Sequence, residues 1–445
     1  MMNPELQKNI WLNLSPHRLV ATPIVMILLV ILVHILMNST NLLGEVVDPI
    51  LYIGIFGCLS IGGAYASAQS VLIEFAEKTW DQQRMSPLSP WALVWGKVLG
   101  GGIFWWYLTC LMLLLFIGYA PWLSGGMPWR GRFELLTFLL GCGFLCQFFS
   151  LMLVLNLAND AEQLLKYRRN MSVGVAVLAA LVGGFLLDAV YFEGQESIIV
   201  WWTAIWERVS FIIISVWIFA AWAAFGTYQL MRQQMQFKNG ILPWLGFNLF
   251  MLVYVPGFLM ESNADHPVAA VLAFLTSIVL TYASLIINPM QTRSALGFLR
   301  SGMPLTIKQF RTRLPLWCVS FVLSFLMLLL VTIEQVLGNL EKQNSWSFLV
   351  ALWLFMVRDF GLIICFLLGA RPARAMAVAG VYLILLYIVL PLILQWSEQI
   401  WVMAFFWPVY ESKTLVWPVL LEVCLVFTWV VLRFRQQKVV TASAA

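Results

Sequence analysis

Runs of about twenty apolar residues recur along the whole chain, each long enough to span a hydrocarbon core of about 30 Å. Leu19 to Met37, Pro49 to Ile73, Leu135 to Leu157 and Leu314 to Ile333 are plain by inspection. Inside a bilayer each backbone N–H and C=O must find its partner within the protein, which leaves helices or closed barrels. Barrel strands run to about ten residues and alternate apolar with polar. These runs are longer, rich in Leu, Ile, Val and Phe, and do not alternate. The fold class expected is therefore all-α, a polytopic helical bundle integral to a membrane. Composition agrees: 62% of the 445 residues are hydrophobic and 11% charged, against roughly 25% charged in a soluble domain.

Twelve spans are expected, at roughly 19–37, 49–73, 92–119, 134–157, 171–191, 209–229, 241–260, 267–287, 314–335, 346–369, 375–395 and 415–433. Lys and Arg collect on the cytoplasmic side of membrane proteins, and here they fill alternate loops. Lys78, Arg84 and Lys97 flank one connection, Lys166, Arg168 and Arg169 another, and Arg293, Arg300, Lys308, Arg311 and Arg313 a third. The loops between carry acids, among them Glu45, Asp48, Glu193, Glu196, Glu261 and Asp265. This places both termini in the cytoplasm of a cell (inner) membrane. Arg130 and Arg132 break the pattern, since they fall where an external loop is expected. The net charge of +5 is small for the length and forms no basic stripe, so no nucleic acid is expected as a partner. The first eighteen residues are polar and amphipathic, with no small-residue cleavage site after the first apolar run, so no signal peptide is expected. Most of the 22 tryptophans near span ends read as interfacial belts. The seven cysteines all lie inside apolar runs and read as packing thiols.

The two halves share features in the same order. Arg84-Met85-Ser86-Pro87-Leu88-Ser89 leads into the third span, and Gly302-Met303-Pro304-Leu305-Thr306 into the ninth. Trp201-Trp202 and Glu207 precede a span that stops at Arg232-Gln233-Gln234; Phe405-Phe406-Trp407 and Glu411 precede one that stops at Arg435-Gln436-Gln437. Two parallel six-helix repeats are expected, residues 1–237 and 238–445, related by an axis along the membrane normal.

Chemistry-bearing motifs are scarce. Gly96-Lys97 lacks the upstream glycine of a phosphate-binding loop and is followed by Val98. No Gly-x-Ser-x-Gly elbow occurs, and His17, His34 and His266 are far apart in sequence. No catalytic, cofactor-binding or metal-ligating residue is assigned. The informative stretch runs from Glu74 to Gly100: a charged helix end, a Pro-punctuated turn, and a new helix start with Ser89 as N-cap and Pro90 at its first position. It reads either as an ordinary polar connection or as a helical elbow shaped to dock in another protein's groove.

This stretch resembles the coupling region of ABC-2-type transporter permeases, where an acidic, Thr-containing helix leads to Ser-Pro-Leu-Ser and then Gly-Lys. Asn3-Pro4-Glu5-Leu6 and the amphipathic stretch to Arg18 resemble the interfacial helix that opens such permeases, and 199–207 resembles their external re-entrant helices. The chain departs from the pattern at Lys78-Thr79-Trp80, where a Gly-Thr pair is common. The family subunit commonly has six spans and acts as a dimer, so the resemblance implies two fused halves. It implies a separate nucleotide-binding ATPase subunit, in two copies, carrying the ATP and Mg and docking on Glu77, Lys78, Thr79, Arg84, Ser86, Pro87, Leu88 and Ser89, and on Met303, Pro304 and Leu305. The cargo implied is a lipid, glycan, peptide or drug-like molecule, moved outward between the second and fifth spans and their counterparts. Gly54, Gly57, Gly62 and Gly63 are expected to permit close packing along the second span.

Arg358-Asp359 lies mid-span in the tenth helix. A charge at a helix centre costs about 2.5–3.5 kcal/mol on insertion scales, so the pair should face protein or water. It reads as an internal pair locking helices together, or as a functional site. Two alternatives to the exporter stand beside it. An ion-gradient-driven carrier would need titrating acids inside the spans, and apart from Asp359 the span interiors are nearly free of them. A membrane-embedded glycan or lipid transferase would need a polar cluster in an external loop, and these loops are short.

Overall fold

The computed structural model describes residues 3–37, 43–118, 128–157, 198–259, 266–287, 314–337, 345–369, 375–396 and 416–442, with Gly174, Val177, Leu181, Gly184, Thr292, Val402, Phe405 and Phe406 as isolated positions. Among the described residues, ten helices are long and apolar enough to cross a membrane, and a bent pair makes up to eleven. The chain is a multi-pass, all-α membrane protein. The expected fifth span, 171–191, lies outside the described residues apart from four isolated positions.

Two compact units form, Met1–Ile199 with Ile205–Asn239, and Val200–Ala204 with Gly240–Ala445. In the first, α1 (Pro4–Asn13) precedes α2 (Pro16–Met37), a span that buries none of its residues within the chain. The second span comprises α3 (Leu43–Phe56), a π-helical stretch Gly57–Gly62 and α4 (Gly63–Ala76). After the short α5 (Trp80–Arg84) and α6 (Pro90–Trp95), a second π stretch, Gly96–Gly101, leads to α7 (Ile103–Gly118). Then come α8 (Trp129–Leu157) and α9 (Arg208–Gln234).

The centre of this unit is α8, packed between α4 and α9. Its core joins Leu72, Val98, Phe148, Leu151 and Met231 at one end and Ile55, Leu59, Phe138, Leu139 and Cys142 at the other. Small polar groups stitch the helices where backbones approach. Gln147 Nε2 donates to the Leu59 carbonyl at 2.9 Å, Ser150 Oγ to Ala64 at 3.0 Å and Thr227 Oγ1 to Phe148 at 2.9 Å. In hydrocarbon, where apolar burial gives helices little reason to associate, such bonds and close packing hold them together. Of the four second-span glycines, three lie against neighbours: Gly54 against Met112, Gly62 against Trp105 and Gly63 against Gln147. Gly57 faces open space, so the expected packing stripe is interrupted there.

Two expectations need correction. The third span is not one helix over 92–119: Pro90–Gly101 and Ile103–Gly118 meet at a 60° bend. The Gly100-Gly101-Gly102 triplet supplies no side chains to pack a straight helix there, and Gly102 leaves helical geometry at φ −91°, ψ 13°. Nor does 199–207 form a re-entrant helix. It folds as a hairpin of β1 (Ile198–Trp201) and β2 (Ala204–Glu207), as suits short β-branched and aromatic runs. Trp202 (φ 52°) and Thr203 (φ 65°) both take the left-handed conformation that a two-residue type I′ hairpin turn demands.

The Arg130 and Arg132 exception has a local cause. Arg132, 1% exposed, lays Nη2 2.8 Å from Asp48 Oδ2 and donates from Nη1 to the Phe116 carbonyl at 3.0 Å, closing the end of α7. Arg130 reaches Glu134 at 2.7 Å and both Glu207 oxygens at 2.8 and 2.9 Å. Each cation is matched by acids at the same end of the unit.

The second unit contains α10 (Leu242–Tyr254), a 3-10 turn Pro256–Leu259, α11 (His266–Ile287), α12 (Leu316–Leu337), α13 (Ser345–Leu367), α14 (Ala375–Ile384), a π stretch Leu385–Val389, α15 (Leu390–Trp396) and α16 (Val416–Ala442). The main packings are α11 on α12 and α13 on α16. Phe274, Leu285, Val331, Met356, Phe360 and Ile363 form its core. The hairpin tip belongs here: the Trp201 and Trp202 indoles donate to the carbonyls of Tyr254 and Val253 at 3.0 and 2.9 Å. Those carbonyls sit where α10 ends and lack helical partners.

Candidate functional site

In the first unit the residues of the elbow sort into a locked base and an exposed tip. The base is a buried cluster of charge. Lys97, fully buried, pairs with Glu74, and Glu5 lies 3.8 Å from the same ammonium. Lys8, half in solvent, adds contacts of 3.3 Å to Glu74 and 3.6 Å to Glu5. Gln83 Nε2 bonds to Glu74 and lies 3.4 Å from Glu5 Oε1. Trp80 gives the Lys97 ammonium an aromatic face at 5.4 Å. Two glutamates meet two lysines, so the cluster is electroneutral.

The sequence builds this junction by placing small residues where α1 must land. A Cβ on Gly96 would fall 2.7 Å from the Glu5 side chain, and one on Gly100 2.8 Å from Asn9 Cβ. Asn9 lies in that gap, donating to the carbonyls of Glu5 at 3.0 Å and Gly96 at 3.4 Å. Asn3 caps α1, its Oδ1 accepting from Glu5 N at 3.1 Å, while its Nδ2 donates to the Ala92 carbonyl at 2.6 Å. The amphipathic N-terminal helix is thus bolted onto the π stretch rather than lying loose.

Above this base runs the turn. Glu77 and Lys78 are exposed and Thr79 half-buried. Lys78 stands where the resembled pattern carries glycine, and its φ of 59° is the left-handed conformation glycine adopts without steric cost. Arg84 Nη2 donates to Gln234 Oε1 at 2.9 Å, and Gln234 in turn donates to the Leu155 carbonyl at 3.0 Å, tying the elbow to the ends of α9 and α8. Ser86 Oγ closes the turn on the Gln83 carbonyl at 2.7 Å, and Leu88 packs on the core below. Ser89 caps α6, accepting from Ala92 N at 3.2 Å. Met85 at the tip is 80% exposed, and Pro87 and Ser89 are exposed beside it. Met303, Pro304 and Leu305 lie outside the described residues.

The second unit holds a different cluster, deep between spans. Arg358 Nε and Nη2 both donate to Asp359 Oδ1, at 3.0 and 2.9 Å. Asp359 Oδ2 accepts from the Tyr282 and Tyr387 hydroxyls, each at 2.7 Å. Arg358 Nη1 reaches Glu422 Oε2 at 2.7 Å and the Phe405 carbonyl at 3.2 Å, and the guanidinium rests on Phe355 at 4.7 Å. Arg358 and Asp359 are 2% and 1% exposed. The expected pair is therefore the centre of a network across α11, α13, α16 and the π stretch Leu385–Val389. No family model, curated protein or solved structure matches the chain.

Sequence reasoning passed over four participants. Glu422 is a lone acid inside the Val416–Val431 run, visible as such, and it corrects the view that Asp359 stands nearly alone within the spans. Tyr282 and Tyr387 carry no local signal. Glu5 shows in the sequence only as one residue of an amphipathic helix.

Proposed function

We propose that this chain is the membrane-spanning permease of an ATP-driven ABC-2-type exporter, twelve spans in two parallel six-span halves, coupled to a separate ATPase that carries the ATP and Mg. The observation that carries the reading is the elbow: an exposed tip at Met85, Pro87 and Ser89 standing on a base locked by Lys97, Glu74 and Glu5. A part that receives a push must present a surface and must not yield at its root. The tip offers apolar area for a partner's groove. The buried charges hold α1, α4, the turn and the π stretch together, so displacement at the tip moves spans rather than bending a loop. On this reading both termini and the elbow face the cytoplasm of a cell inner membrane, two ATPase copies dock near Ser86 and Pro304, and the chain itself catalyses nothing. The cargo class is a lipid, glycan, peptide or drug-like molecule.

The test is a tagged pull-down from native membranes in mild detergent, with partners identified and counted by mass spectrometry. The expected result is a P-loop ATPase at about two copies per chain, lost when Ser86-Pro87-Leu88 is replaced by Gly-Ser-Gly. Repeated purification without an ATPase would overturn the proposal. The second reading, an ion-gradient-driven carrier, draws on the buried Arg358–Asp359–Glu422 network. Asp359→Asn separates the two: ATP-dependent transport survives it in the exporter, while coupling to a gradient is lost in the carrier.

A further inference from the structure

We propose that Glu422 is a proton-binding site, carrying its proton on Oε1 in the state described. The proposal stands whatever energy source drives the chain. It begins with a charge count. One guanidinium, Arg358, faces two carboxylates, Asp359 and Glu422. Among the described residues, the remaining polar groups on the network are the hydroxyls of Tyr282 and Tyr387 and the Phe405 carbonyl, none of them cationic. On α16 the nearest cations, Arg433 and Arg435, lie eleven and thirteen residues further on, roughly 16 to 20 Å along the helix at 1.5 Å per residue. Both carboxylates ionised would leave one negative charge uncompensated among spans. A group in that position takes up a proton rather than bear the desolvation.

Hydrogen bonding decides which acid receives it. Asp359 is saturated as a carboxylate: Oδ1 accepts two guanidinium N–H groups and Oδ2 accepts two phenol O–H groups. A proton there would displace a donor. Glu422 is half-used. Its Oε2 accepts from Arg358 Nη1, and among the described residues Oε1 meets no donor. Its side chain is also 19% exposed, against 1% for Asp359, so added bulk on Oε1 meets less packing than on either Asp359 oxygen. The step is a simple association in which the Oε1 lone pair takes a proton, –COO⁻ becomes –COOH and the cluster goes from one net negative charge to none.

The packing around Glu422 makes that proton matter to the spans. One turn from each partner, Gly361 of α13 lies against Val426 of α16, so closely that a Cβ on Gly361 would overlap the Val426 side chain. Backbones in such close contact bring Arg358 and Glu422 within 2.7 Å. Loss of the proton puts a net charge into that seam. The deprotonated cluster is expected to draw in water and loosen α16 from α13.

The test is infrared difference spectroscopy on the full chain in lipid nanodiscs, stepping pH across the neutral range and reading the carboxylic-acid C=O stretch. A protonated-carboxyl band that decays as pH rises is expected in the unaltered chain, and Glu422→Gln should remove it. Asp359→Asn should also remove it at neutral pH, because Glu422 then becomes the sole counter-ion of Arg358 and ionises. Labelling of Cys365, 2% exposed on α13, reports whether each variant is folded. A band that persists unchanged in folded Glu422→Gln, or no protonated band in the folded unaltered chain, overturns the assignment. A fold lost in Glu422→Gln leaves the Asp359→Asn spectrum and the unaltered titration to decide it. None of these measurements needs an ATPase, so their failure is separate from failure of the exporter reading.

Discussion

The two units each bury a cluster of charge, and the clusters are built on different principles. In the first unit Glu5 and Glu74 face Lys8 and Lys97, the signs cancel, and the cluster lies where α1 crosses the root of the elbow. In the second, two carboxylates share one guanidinium between spans. A balanced cluster needs nothing from outside and serves to fix three chain segments in register. An unbalanced one is complete only with a further charge. Burial alone therefore does not separate a lock from a chemical site; the charge count within hydrogen-bonding reach does.

The largest effect is expected from Arg358→Met. It leaves the Asp359 carboxylate without its cation and Glu422 without its donor, and removing one side of a buried ion pair costs about 3–5 kcal/mol. The free cysteines give each unit its own reporter. Cys365 is buried in the second unit, Cys142 and Cys146 in the first. Thiol labelling on heating should expose Cys365 at a lower temperature in Arg358→Met while Cys142 and Cys146 keep their protection. Equal loss of protection in both units would show that they unfold as one and would break the comparison.

Lys97→Met should come next, towards the lower end of the same range of about 3–5 kcal/mol, because Lys8 still touches both Glu74 and Glu5. The informative variant is the double, Lys97→Met with Glu74→Leu. A balanced lock loses one charge of each sign, so most of the stability measured through Cys142 and Cys146 should return. Pairing Arg358→Met with Glu422→Leu should not restore the second unit in the same way, since the protonated Glu422 carries no charge to cancel and Asp359 stays without a cation. Equal recovery in both doubles would erase the distinction drawn from charge balance.

How much of this was legible beforehand follows the range of the interactions. The ten straight spans among the described residues were legible because twenty apolar residues are a local fact. So was the Ser89 cap, which needs only a Ser before Pro90. The bend of the third span has a local signal in Gly100-Gly101-Gly102, which an apolar-run count over 92–119 does not register. Arg132 looked like a violation of charge placement because its partner, Asp48, is 84 residues away. Glu422 and Arg358 are 64 apart, and Tyr282 and Asp359 are 77 apart. No periodicity within a helix reports pairings of that separation, so an isolated intramembrane acid can be seen in sequence while its balance cannot.

Gly100→Ala tests the same lock without touching a charge. A methyl there meets Asn9 Cβ at 2.8 Å, and overpacking of that kind costs about 1–3 kcal/mol. Because α1 can shift outward, the expected result is a partly lifted N-terminal helix. A cysteine placed at Asn9, buried in the folded chain, should label faster in the Gly100→Ala background while Cys142 stays protected. Unchanged labelling would mean that α1 is held by the ion cluster alone.

Ser89→Ala should have the smallest effect, and it separates the elbow's tip from its base. The variant removes the acceptor for Ala92 N, at 3.2 Å in the folded chain, and an N-cap serine is worth about 1 kcal/mol, within a span of about 0.5–2. Pro90 keeps the first helical φ in place whatever residue precedes it, so the turn should fray rather than refold. Thermal protection of Cys142 and Cys146 should fall slightly, and Ser89→Asp, which can also cap, should restore it. If the tip is the docking surface, Ser89→Ala should weaken ATPase capture more than its small loss of stability accounts for, whereas Gly100→Ala, acting at the base, should leave capture intact and impair only transport. The opposite order would place docking at the root of the elbow and reverse the roles of tip and base.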